Sequence, residues 1–156
     1  SRSRAGRKWS PSMYGRSETA ASPTRRSPIR EDRSVPAILI IDDDQKIRSW
    51  LRTILEAEGH QVVEAGDGHE GLACFHRVSP DLVVLDIYLP GKEGLEIILT
   101  IRKSARAVKI LAISGNLIGG YDACKAATVF GANDALAKPF SAETFRAHVE
   151  RLLNSA

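Results

Sequence analysis

Carboxylates, a hydroxyl and a lysine stand directly after four apolar runs of this chain. Asp42, Asp43 and Asp44 follow Ala37 to Ile41, and Asp86 follows Leu82 to Leu85. Ser114 follows Ile110 to Ile113, and Lys138-Pro139 follows Ala135 to Ala137. Adjacent carboxylates repel one another, and a bound cation offsets that repulsion. Mg2+ or Mn2+ is a hard divalent cation suited to such oxygen ligands, with waters and phosphate oxygens completing its shell. A carboxylate attacks a phosphorylated donor poorly because both are negative, and a cation between them relieves this. The set therefore suits phosphoryl transfer onto a carboxylate. Asp43 and Asp86 would bind the cation directly and Asp42 through water. Lys138 would pair with a phosphoryl oxygen as a point charge, and Ser114 would donate a hydroxyl hydrogen bond once the group has arrived. Each piece alone has a plainer reading: a helix cap, a loop acid, a surface turn. Their joint placement is what points to chemistry.

Such residues converge only if the runs before them are parallel strands, because ligands bind beyond the carboxyl ends of strands in open α/β sheets. Strand and helix signals do alternate after Pro36. Strands are expected at Ala37 to Ile41, Gln61 to Glu64, Leu82 to Leu85, Lys109 to Ile113 and Asn133 to Ala137. The first helix is expected over about Gln45 to Glu58, capped by Asp44, with Ile47, Leu51, Ile54 and Leu55 at helical spacing. A second helix follows Gly66-Asp67-Gly68, with Leu72 and Phe75 inward. A third follows Pro90-Gly91 and carries Leu95, Ile98 and Leu99. A fourth covers about Tyr121 to Phe130. A last one, capped by Ser141, carries Phe145, Val149, Leu152 and Leu153. Five such units predict an α/β fold: a doubly wound, five-stranded parallel sheet of flavodoxin-like order 2-1-3-4-5 with five helices. That order sets the strands ending in Asp42-Asp43 and Asp86 side by side.

Charge is unevenly spread along the 156 residues. Positions 1 to 36 hold nine Lys/Arg and three Asp/Glu, whereas the rest hold thirteen and sixteen. The first 36 residues, rich in Ser, Arg, Pro and Gly, are expected to be a disordered basic tail or linker, and 37 to 156 the folded domain. Met13 is the sole methionine and a candidate natural start. The tail could meet nucleic acid or an acidic partner, but a solvated linker is the simpler reading. No nucleic-acid-binding motif supports the former. No apolar run nears the roughly 20 residues of a membrane helix, and no secretory signal is visible, so a cytoplasmic location is expected. Cys74 and Cys124 lack metal or redox spacing, as do His60, His69, His76 and His148. Gly115 to Gly120 does not match a phosphate-binding loop.

The sequence resembles the receiver domain of bacterial two-component response regulators. The matching pieces are Ile40-Ile41-Asp42-Asp43-Asp44, Asp81 to Asp86, Leu89-Pro90-Gly91-Lys92-Glu93-Gly94, Ile113-Ser114-Gly115 and Gly131-Ala132-Asn133 through Lys138-Pro139-Phe140. The resemblance covers about Ala37 to Ser155. It implies that Asp86 is the phosphoacceptor, Asp42 and Asp43 the acidic pair, and the Tyr88 carbonyl a backbone metal ligand. It makes Ser114 the switch hydroxyl and Lys138 the family lysine, with a Lys-Pro bond that is commonly cis. Tyr88 and Asn116 fall where the family tunes hydrolysis of the phosphoryl group. The chain departs from the pattern at Ala135, where the family usually places Tyr or Phe as a ring that moves with the switch hydroxyl.

The resemblance implies phosphate supply by a histidine kinase or phosphotransfer protein and output through contacts with a downstream protein. The rivals are the same domain as the C-terminal module of a longer regulator or hybrid kinase, a carboxylate-nucleophile phosphatase, and a degenerate receiver. Such a phosphatase wants a second acid two residues after the nucleophile, where this chain has Tyr88. The complete set Asp42, Asp43, Asp86, Ser114 and Lys138 argues against degeneracy. The expectation is thus a phosphoacceptor signalling domain, not an enzyme acting on a separate substrate.

Overall fold

The computed structural model describes residues 34–89, 94–115 and 122–155. The expected tail lies outside these residues apart from Ser34, Val35 and Pro36. Five units alternate strand and helix: β1 (Ala37–Ile41), α1 (Gln45–Ala57), β2 (Gln61–Ala65), α2 (Gly68–Val78), β3 (Leu82–Asp86), α3 (Gly94–Ser104), β4 (Lys109–Ser114), α4 (Ala123–Phe130), β5 (Asp134–Ala137) and α5 (Ala142–Asn154). The strands form one sheet in the order β2-β1-β3-β4-β5, and every pairing is parallel.

Both faces of the sheet are covered, so β1 and β3 are buried at every position, which is why they read as unbroken apolar runs. Successive side chains still go to opposite faces. Leu39, Ile41, Val83, Leu85, Ile110 and Ala112 pack with α2, α3 and α4 in one core. Ile38, Ile40, Leu82, Val84, Leu111, Ile113 and Leu136 pack with Leu51 and Leu55 of α1 and with Phe145, Val149 and Leu152 of α5 in the other. Burying one such aliphatic side chain contributes about 1.5–3 kcal/mol, so the two cores hold the strand ends in register.

The helices start where a side chain can satisfy their free N–H groups. Asp44 accepts from Lys46 N–H at 2.9 Å, and Ser141 accepts from Thr144 N–H at 3.0 Å, both as the sequence suggested. Asp67 caps α2 and Asp122 caps α4. Asp122 therefore starts α4 at Ala123, later than the expected Tyr121, a residue outside the described range. α3 also differs from expectation. Its buried face is Gly94, Ile97, Ile98 and Ile101, whereas Leu99 is 42 % exposed. Gly94 explains this rotation, because a Cβ there would lie 2.5 Å from Ile87 Cα and 2.8 Å from the Asp86 carbonyl oxygen. Only glycine lets α3 begin so close to β3.

Candidate functional site

The strand order places the ends of β1 and β3 together. Ile41 pairs with Leu85, and Asp42 still donates its N–H to Ala65 O at 3.1 Å. Asp42 and Asp86 continue the alternation of Ile38-Ile40 and Leu82-Val84, so they rise on the α1/α5 side of the sheet. Lys138, two residues after Leu136, comes from that same side. Carboxylate oxygens of Asp42, Asp43 and Asp86 all lie within 4.8 Å of one another. Lys138 Nζ stands 3.3 Å from Asp86 Oδ2 and 3.7 Å from Asp42 Oδ2.

The three acids differ in surroundings. Asp42 is 2 % exposed and Asp86 6 %, whereas Asp43 is exposed. Asp42 Oδ1 accepts from Asp44 N–H at 2.8 Å. Burial pushes the Asp42 carboxyl up to about 6; the Asp44 N–H and the Lys138 charge offset part of this, and the Asp86 and Asp43 charges add to it. Asp86 Oδ1 accepts from Tyr88 N–H at 3.0 Å, which orients the carboxylate while Lys138 holds its other oxygen. The Tyr88 ring points outward, 43 % exposed.

Ser114 ends β4 on the opposite face of the sheet, next to Lys138. It is 4 % exposed, and its carbonyl accepts from Lys138 N–H at 2.8 Å. A cavity of about 460 Å3 opens beside it, between Gly115, Asp122, Cys124, Ala137 and Lys138. Ala112 and Ser114 pair with Ala135 and Ala137 across β4 and β5, so no ring rises from β5 on this face. The Lys138-Pro139 peptide is cis, as the resemblance implied. Asn116 lies outside the described residues.

The donor set fits a divalent cation. Three carboxylates stand beside one ammonium, they are hard oxygen donors, and two of them are buried, Asp42 at a cost that a nearby positive charge would relieve. Asp43 is the acid free to turn to a cation at the surface, whereas Asp42 is tied down by Asp44 N–H.

Three interactions near these residues were not foreseen from sequence. Arg48 Nη1 donates to the Asp42 carbonyl at 2.6 Å. On the outer side of β5, His148 Nδ1 lies 2.6 Å from Asp134 Oδ2, and Arg151 pairs with the same carboxylate oxygen. In sequence Arg48, His148 and Arg151 are ordinary polar residues on helices; only the turn of each helix over its strand makes them partners.

A family model described as the response regulator receiver domain matches residues 38–150, and the chain belongs to that family. The transcriptional regulatory protein AfsQ1 of Streptomyces coelicolor is 32 % identical over 123 residues, covering 76 % of this chain and 52 % of its own length. The transcriptional regulatory protein ResD of Bacillus subtilis is 35 % identical, covering 76 % and 48 %. The chain thus spans about half the length of these curated relatives. Among solved structures, the receiver domain of NtrX from Brucella abortus is 35 % identical with a TM-score of 0.71, covering 76 % of this chain and 99 % of that one. Receiver domains are signalling domains rather than classical enzymes. Among the described residues no helix is long and apolar enough to cross a membrane.

Proposed function

We propose that this chain accepts a phosphoryl group on Asp86 from a histidine kinase or a histidine phosphotransfer protein and passes the signal on by protein contacts. The observation that carries this is the buried Asp86 carboxylate held between Lys138 and the acidic pair Asp42 and Asp43. A carboxylate oxygen of Asp86 attacks the phosphorus of a phosphohistidine. The P–N bond breaks, its electron pair returns to the imidazole, and an acyl phosphate forms. Bound Mg2+, held by Asp43, Asp86 and the Tyr88 carbonyl, would neutralise charge on the transferring group. Lys138 moves from the Asp86 carboxylate to a phosphoryl oxygen. The carboxylate becomes an acyl phosphate with oxygens free for the ammonium, so the pair is exchanged rather than lost. Ser114 donates its hydroxyl to another phosphoryl oxygen.

The test is intact mass after incubation with acetyl phosphate and Mg2+. One phosphoryl group is expected on the natural chain and none on Asp86→Asn or in excess chelator. Labelling that survives Asp86→Asn would refute the assignment.

A second reading is favoured by coverage of about half the relatives' length. In it the domain is one module of a longer regulator, and output lies in another part of that protein. Several relatives are named as transcriptional regulators, which suggests DNA-directed output for such a whole. Sequencing the reading frame around this segment separates the two readings.

A further inference from the structure

Arg48 stands one turn into α1 and reaches back over the acidic loop. Its Nη1 donates to the Asp42 carbonyl at 2.6 Å, and its Nε donates to Glu64 Oε1 on β2 at 3.1 Å. The other Glu64 oxygen accepts from Arg52 Nη1 at 2.7 Å. The Arg48 side chain is 17 % exposed. A Cβ on Gly66 would lie 3.4 Å from Nη1, an ordinary contact, so the loop after β2 borders the guanidinium.

We infer that Arg48, anchored by Glu64, is a positioning residue for cation binding at the acidic loop. The inference rests on the Mg2+ reading above. The peptide joining Asp42 to Asp43 is planar. Fixing its carbonyl therefore fixes its N–H and narrows where the Asp43 Cα and carboxylate can lie. The planar guanidinium can bond the carbonyl and Glu64 at once, which a lysine ammonium on a flexible stem does less well. Among the described interactions, Arg48 pairs with none of the carboxylates of Asp42, Asp43 and Asp86, so it acts through the peptide. Without the clamp the loop spreads over arrangements in which the three carboxylates do not converge. Apparent affinity then falls with the fraction of competent loops.

The experiment is a Mg2+ titration of the whole chain, followed by the amide resonances of Asp43 and Asp44 and by calorimetry. Urea unfolding of each variant accompanies it. Arg48→Met is expected to weaken Mg2+ binding by about tenfold, the usual scale for a residue that orients a ligand. Glu64→Gln should weaken it less, and Arg48→Lys should restore part of the loss. The double variant should bind like Arg48→Met alone, because Glu64 acts through Arg48. At saturating Mg2+ the rate of labelling by acetyl phosphate should return to that of the natural chain. A role in folding alone would lower the urea midpoint and leave Mg2+ affinity within twofold, and that result overturns the inference. Should Arg48→Met fail to fold, Glu64→Gln decides: a weakened affinity supports the clamp and an unchanged one overturns it. A natural chain that binds no Mg2+ would overturn the metal reading itself. That result is distinct from normal binding beside an unaffected Arg48→Met.

Discussion

At the scale of single residues, the site holds charge that the fold alone does not favour. Asp42 is buried beside two other acids, and its carboxyl rises from 3.8 to about 6. Between roughly pH 4 and 6 the folded chain then binds more protons at Asp42 than the unfolded chain does. Stability from this group therefore increases as pH falls from about 6 to about 4, and the burden is fully present above 6. Asp42→Asn keeps the oxygen that accepts from Asp44 N–H and removes the charge. In metal-free buffer at pH 7 it should raise stability by on the order of 1–2 kcal/mol, with the gain shrinking toward pH 4. Urea unfolding at several pH values with chelator present checks this, and an unstable Asp42→Asn at pH 7 would contradict it. Asp43, exposed and untied, should matter more to the cation: Asp43→Ala is expected to lose more Mg2+ affinity than Asp42→Ala. Calorimetric titration ranks the two, and equal affinity in Asp43→Ala and the natural chain would refute the assignment.

At the scale of elements, the strands and their order were legible because unbroken apolar runs ending in polar residues mark buried parallel strands. The caps at Asp44 and Ser141 were legible because such residues directly precede helical periodicity. The facing of α3 was not. Ile98 is buried and Leu95 packs against the core as expected, but the contact of Gly94 with Ile87 turns the helix so that Ile97 and Ile101 are buried and Leu99 is exposed. Nor could sequence show that α5 is pinned to β5 through Asp134. Burial alone would raise the Asp134 carboxyl, but hydrogen bonds from His148, Ala135 N–H and Arg151 outweigh it and hold the carboxyl below its ordinary value of 3.8. That stabilisation is present above the ordinary value and is lost as pH falls through the lower folded one. Asp134→Asn should therefore cost about 1 kcal/mol at pH 7 and progressively less in strong acid, as urea midpoints across pH would report. On the proposed function, the small side chains of Ala135 and Ala137 mean that a phosphoryl group would act through α4 rather than through a ring on β5. A beryllofluoride phosphate mimic should shift amide resonances most over residues 115–130 and little at Ala135. Shifts confined to α1, with residues 115–130 silent, would place the output surface elsewhere.

At the scale of the molecule, the sheet brings residues 42, 86, 114 and 138 together from four strands. Their placement together was legible because each ends its strand or directly follows it, and strand ends in this topology meet at one edge. What sequence alone left out was the support around them: the Arg48–Glu64 contact, which depends on how α1 turns over β2, and the bond from Asp44 N–H to Asp42, which depends on the local turn after β1. Phosphorylation of Asp86 is read out by reducing the acyl phosphate with borohydride after acetyl phosphate labelling and mapping the modified residue by peptide mass spectrometry. Homoserine is expected at position 86 only, formed in the presence of Mg2+ and absent with chelator. Homoserine at position 42 or 43, or labelling that needs no divalent cation, would contradict it.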